Sequence, residues 1–164
     1  MAKRKRKNRK RTNSNVPAKG TLRDMADRLW SLAVRNDWNW KCAVCGCGGS
    51  GKLEAHHLLP RQHENYRYDL RNGICLCSRH HQFHPDTSPH QNAAGWVQWL
   101  AEYQPNIHRW YIETNSGVRF RQFKGIKNAA YYCDVIRSLR QYVDDEDYVR
   151  IVGVKFSRWL EENE

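Results

Sequence analysis

No run of apolar residues in this chain is long enough to cross a membrane, and the charged stretch at its start is not followed by the apolar segment a secretory signal requires. Both absences point away from membrane insertion and export, so an intracellular setting is expected. No internal repeat is present. Acid is missing from residues 1–19, which hold nine Lys or Arg and so account for nine of the eleven net positive charges, leaving the other 145 residues near balance at +2.

So dense a block of like charge repels itself and has nothing apolar to bury, so residues 1–19 are expected to be a disordered basic arm. It suits a solubilising tail, a nucleic-acid arm or, in a eukaryote, a nuclear address. At 164 residues the chain has the length for one domain with an appendage, enough for a core without a disulfide scaffold. Six cysteines are present, and Cys42, Cys45, Cys47, Cys75 and Cys77 cluster around histidines. In an intracellular chain that pattern favours metal ligation over disulfides.

Thr21 can cap a helix whose apolar residues Leu22, Met25, Ala26, Leu29, Leu32 and Ala33 recur at spacings of three and four, ending near Asn36. The glycines at 46, 48, 49 and 51 make a tight knuckle after Cys42. Residues 52–59 read as a short strand stopped by Pro60, and residues 74–76 as its hairpin partner. Between them Arg61, His63, Arg67 and Arg71 suit a loop lying near phosphates. A helix should start at Ser78 and end before Pro85, and a strongly amphipathic one should cover residues 93–103. Residues 107–123 are ambiguous, with a hairpin around Asn115-Ser116-Gly117 slightly favoured over a helix. Two further helices are expected, one carrying Ala129 to Val143 and a last one carrying Val149 to Leu160.

The chemistry is concentrated between Cys42 and His84. Zinc takes four tetrahedral ligands from thiolate and imidazole, and two pairs on short loops supply them with little strain. Cys42 and Cys45 form one pair; Cys77 and His80 form the best second pair, with Cys75 and Cys77 as a competing assignment. Such a site contributes about 10 to 16 kcal/mol of apparent binding energy, enough to hold a small hairpin-and-helix unit. Cys47 and Cys133 look like spare thiols, the latter in a helix core. His56, His57, His81 and His84 remain. Adjacent strand residues face opposite ways, so one of His56 and His57 can bind a divalent metal while the other takes a proton from water.

As a set these residues resemble the HNH endonucleases, or ββα-metal nucleases, and more closely the small phage and bacterial members with a zinc knuckle. The resemblance runs over about residues 24–100 and is carried by Asp27-Arg28-Leu29-Trp30, by Leu53-Glu54-Ala55-His56-His57, and by Asp69-Leu70-Arg71-Asn72-Gly73-Ile74-Cys75-Leu76-Cys77 leading into His80-His81. It implies His57 as general base, Asn72 as the brace of the loop that orients it, and His56 and His81 as ligands of a catalytic Mg²⁺ or another divalent ion such as Mn²⁺, with His84 as a further ligand. It also implies DNA as substrate, 5′-phosphate and 3′-hydroxyl products, and a bacterial host cytoplasm if the source is a phage or bacterium.

Two features depart from the family pattern. Many relatives have a zinc cysteine where this chain has His80, and in many the two helix histidines facing the catalytic metal have three residues between them, whereas His81 and His84 have two. His80 with His84 is therefore a rival pair, and His90 a further candidate. The expected fold is α+β: a ββα-metal core stapled by structural zinc, with an amino-terminal helix and additional carboxy-terminal helices. The expected parts are the arm (1–19), a nuclease domain (20–104) and a mainly helical extension (105–164). The competing function is a non-catalytic zinc knuckle that binds DNA without cutting it. No base-reading motif is recognisable after residue 93, and no protein partner is indicated.

Overall fold

A computed structural model describes residues 15–48, 52–118 and 125–163. Most of the basic arm, expected over 1–19, lies outside the described residues. The periodic apolar positions 22, 26, 29, 30, 32, 33 and 34 are buried on one face of helix α1 (Lys19–Asp37). The helix begins two residues before Thr21, behind Ala18 and without a side-chain cap, so Thr21 is not its cap. Strands β1 (Leu53–His57) and β2 (Gly73–Cys77) pair antiparallel, with His56 opposite Ile74 and Glu54 opposite Leu76.

Gly73 is where α1 meets this hairpin. A Cβ there would stand 2.3 Å from Val34 Cγ2 and 3.0 Å from a Trp30 ring carbon, so only glycine lets helix and strand approach this closely. The loop between the strands closes with a short helical turn over Leu70–Asn72, capped when the Asp69 carboxylate accepts from Arg71 N. After β2 the chain makes one wide turn over Arg79–Phe83, closed by an i to i+5 bond from His84 N to Arg79 O at 2.8 Å. Where a regular α-helix was expected there is only this turn, because Pro85 leaves room for no second one.

Helix α2 (Ala93–Tyr103) occupies the span expected, capped by Asn92. Helix α3 (Pro105–Val118) overturns the hairpin expected over 107–123: Asn115-Ser116-Gly117 lies inside the helix rather than in a turn, and residues 119–123 of that expectation lie outside the described residues. Pro105 at its first turn supplies a preset φ and lacks only a hydrogen bond that the position does not make. Helix α4 (Ala129–Leu139) follows, and the last expected helix is two, α5 (Asp145–Val152) and α6 (Val154–Glu162), divided at Gly153 with φ of +86°.

The buried apolar residues form two clusters. One joins α1 to α4, α5 and α6 through Leu22, Leu29, Trp30, Ile136, Tyr148 and Leu160. The other joins the hairpin and the cysteine knuckle to α2 through Cys42, Ile74, Leu76, Trp96, Trp99 and Leu100, with Ile107, Trp110 and Tyr111 of α3 packed against it. Among the described residues no helix is long and apolar enough to cross a membrane.

Candidate active site and metal centres

The cysteine knuckle starts where Lys41 bridges Gly48 and Cys42 N donates to Cys47 O at 2.8 Å. Gly46, with φ of +68°, turns the chain back so that Cys47 re-enters the frame. As a result the ligand atoms of Cys42, Cys45, Cys47 and Cys77 all lie within 4.8 Å of one another. Cys47, expected to be spare, thus stands in the set where His80 was expected. The C-x-x-C spacing drew attention to its two ends and hid the third thiol.

His80 is not remote. Its Nδ1 lies 3.2 Å from Cys77 Sγ and 3.7 Å from Cys42 Sγ. Donors held about 2.1 to 2.3 Å from one tetrahedral ion would be about 3.4 to 3.8 Å apart, so His80 stands close enough to Cys77 and Cys42 to compete for one of four places. Burial, with the charges of His84 and Arg79, lowers the His80 pKa and favours the neutral ring that ligation needs. Cys75 is wholly buried, its pKa pushed up to about 11 by burial, and it lies outside the thiol group.

A second cluster lies across the hairpin. His56 Nδ1 is 3.0 Å from His81 Nε2, and His90 Nε2 is 3.2 Å from the same atom. These three imidazoles form the other potential metal group among the described residues. Ligands about 2.1 Å from a shared ion lie about 3.0 Å apart at right angles and about 3.4 Å apart at tetrahedral angles, so the spacing fits a divalent ion. The other nitrogen of His81 is bonded to the Glu54 carboxylate, which also accepts from Gln82 Nε2 at 3.0 Å and Ser78 Oγ at 3.1 Å. Burial opposes ionisation of Glu54, but these bonds outweigh it and hold its pKa below the usual value. A carboxylate behind a ligating histidine fixes its tautomer and raises its basicity. Glu54 was not singled out from sequence, although its place two residues before His56 puts both on one strand face.

His84 does not reach this cluster, and His90 stands where His84 was expected. The wide turn ends at Phe83, and the His84 ring turns inward to accept from Asp86 N and Thr87 N, each at 3.3 Å, with Thr87 Oγ1 at 3.1 Å. The chain then doubles back through Ser88, which is fully buried. Its hydroxyl donates to His81 O at 2.8 Å and accepts from His90 N at 3.2 Å, tying His90 to the turn that carries His81. Ser88, between Pro85 and Pro89, is the signal for this return that sequence reasoning missed.

His57 points the other way, onto α1. Its ring stacks on Trp30, with centroids 3.6 Å apart and 17° between planes, and its Nε2 donates to Arg67 O at 2.9 Å. A carbonyl only accepts, so Nε2 carries the proton and Nδ1 keeps the lone pair. Burial first, with the charges of Arg61 and Arg67, pushes the His57 pKa down to about 4, against the hydrogen bond to the Arg67 carbonyl. The ring is therefore neutral at physiological pH. Asn72 is fully buried: its Oδ1 accepts from Leu59 N at 2.6 Å, and its Nδ2 donates to Leu59 O at 3.2 Å and Tyr66 O at 2.9 Å. One amide thus ties both ends of the loop that carries Arg67.

Of the loop arginines expected near phosphates, Arg67 is buried against Asp27 and Arg71 is paired with Asp69. Arg61 is exposed and lines a cleft of about 500 Å³ together with His56, His57, His81 and His90.

A two-stranded hairpin with a short helical turn, framed by four thiols and carrying convergent imidazoles, defines a ββα-metal type of α+β fold. The family model described as HNH endonuclease matches residues 42–85, so this segment has the HNH family fold and supports a nuclease-type function. Comparison with the curated proteins and with the solved structures finds no match.

Proposed function

We propose that this protein is a metal-dependent endonuclease that hydrolyses DNA phosphodiester bonds, with His57 as general base. The observation that carries this reading is that the neighbouring strand residues His57 and His56 face opposite ways, His57 as a neutral imidazole and His56 beside His81 and His90, with all four along one cleft. His57 Nδ1 takes a proton from water as the water oxygen attacks phosphorus; the bond from phosphorus to the 3′ oxygen breaks, and that oxygen is protonated from solvent. Asn72 keeps the loop, and with it the Arg67 carbonyl, in place to hold the base in this tautomer. His56, His81 and His90 would hold the divalent ion, with Glu54 orienting His81. When bound, that ion offsets the charge of the transition state and eases departure of the 3′ oxygen.

Three imidazoles form a borderline donor set, better suited to Mn²⁺, Co²⁺ or Ni²⁺ than to Mg²⁺, which prefers oxygen. Zinc would sit among Cys42, Cys45, Cys47, Cys77 and His80 as a staple for the hairpin. The test is incubation of the purified protein with plasmid, linear duplex, single-stranded DNA and RNA across these metals. DNA breaks are expected, with the transition metals giving faster cleavage than Mg²⁺. His57→Ala should lower the rate about 10² to 10⁴-fold while zinc content and DNA binding persist. Absence of breaks with any metal would leave a non-catalytic zinc-knuckle DNA-binding module.

A further inference from the structure

Arg67 is the most fully buried charged residue of the loop between the strands, with its side chain 3% exposed. Its guanidinium donates twice to Asp27 of α1, from Nε to Oδ1 at 3.0 Å and from Nη2 to Oδ2 at 2.7 Å. Its third nitrogen, Nη1, donates to Arg61 O at 3.1 Å, and its own carbonyl accepts from His57. Burial alone would lower the Arg67 pKa; the bonds and charge of Asp27 reverse that, and the group stays cationic.

The pair is buried on the arginine side while Asp27 keeps 26% of its side chain exposed, and for stability alone well-packed apolar residues would hold the loop as well or better. An arginine fork can do something apolar packing cannot: it binds a carboxylate on one element and a particular carbonyl on another while fixing its own main chain. Here the two points it fixes are both functional. One is the carbonyl that sets which nitrogen of His57 holds the proton. The other is the backbone of Arg61, whose exposed side chain borders the cleft beside His57.

We propose that Asp27 and Arg67 are positioning residues, through which α1 sets the His57 tautomer and presents Arg61 to the scissile phosphate. The proposal rests on reading the cleft as hydrolytic, but half of it can be observed without turnover. Trp30, one helical turn after Asp27, adds the stacking surface, so α1 holds the base by its face and by its Nε2 proton together.

The experiment combines cleavage kinetics on a short duplex with ¹⁵N spectra of the histidine rings of the zinc-loaded full chain. In the wild type His57 should appear as the Nε2-protonated tautomer. Asp27→Asn keeps the side-chain shape but turns a donor toward the guanidinium, and should give mixed His57 tautomers and a kcat lowered about 10 to 100-fold with KM within about 2-fold. Where that variant fails to fold, Asp27→Glu, which keeps the charge but not the paired hydrogen bonds, should show the same signs more weakly. Arg61→Ala, on the surface, should leave the tautomer unchanged, lower kcat/KM and reduce the slope of log K against log salt by about one phosphate's worth, roughly 0.9. A wild-type tautomer together with wild-type kcat in the folded Asp27 variant overturns the base half, and an unchanged Arg61→Ala overturns the phosphate half. If the tautomer responds to Asp27 but no nucleic acid is cut by the wild type, the relay stands and the hydrolytic reading fails.

Discussion

At the scale of single residues, the two histidines that follow Ala55 are separated by strand alternation into different chemical settings. His56 faces His81 and His90, while His57 lies on Trp30 and bonds to a carbonyl. That separation was legible because period-two alternation needs no tertiary information. The nearness of Cys47 and His90 to the two clusters was not, because they come into place through a left-handed glycine at 46 and a serine-tied return at 88. The zinc assignment can be resolved residue by residue. Cys47→Ser should release zinc to a mild chelator, whereas His80→Ala should keep it, because the thiols alone already make a four-donor set. Zinc content measured after dialysis decides the matter, and the reverse result would return His80 to the ligand set.

At the scale of elements, contact between α1 and the hairpin is what places Trp30 on His57, and Gly73 permits it. Gly73→Ala should therefore destabilise the protein by about 1 to 3 kcal/mol, the usual cost of overpacking, and, with His57 as the proposed base, lower cleavage by moving Trp30 off it. Urea midpoints measure the first effect, and Val34→Ala in the same chain should recover part of both, since Val34 Cγ2 is the atom an added methyl would strike. A Gly73→Ala protein with the wild-type midpoint would show that the helix is free to slide. Elements with one strong period, such as α2 with buried Trp96, Trp99 and Leu100, could be read from the sequence to within a residue. Helix α3 could not: its apolar residues Ile107, Trp110 and Tyr111 only pack against the second cluster from outside, so local pattern carried little signal and Asn-Ser-Gly resembled a turn.

At the scale of the whole molecule, the two apolar clusters stand in different relation to the cysteine knuckle, the candidate zinc site. The cluster of α1, α4, α5 and α6 contains only Cys133 among the cysteines, a buried helix residue remote in sequence from the knuckle, and has its own large side chains in Trp30, Tyr132 and Tyr148. The cluster of the hairpin and α2 includes Cys42 itself, and its two-stranded sheet is too small to persist in water without support. Removing zinc should therefore abolish cleavage and the fixed environment of Trp96 and Trp99, which stack with centroids 5.1 Å apart, while much of the helical signal remains and melts cooperatively. Near- and far-ultraviolet circular dichroism of chelated and zinc-restored protein would check this, and restored zinc should return both the tryptophan signal and activity. Simultaneous loss of all helical signal on chelation would mean that α1, which packs on both β1 and α4, couples the clusters into one folding unit. Zinc would then hold the helical core as well as the hairpin that carries the site.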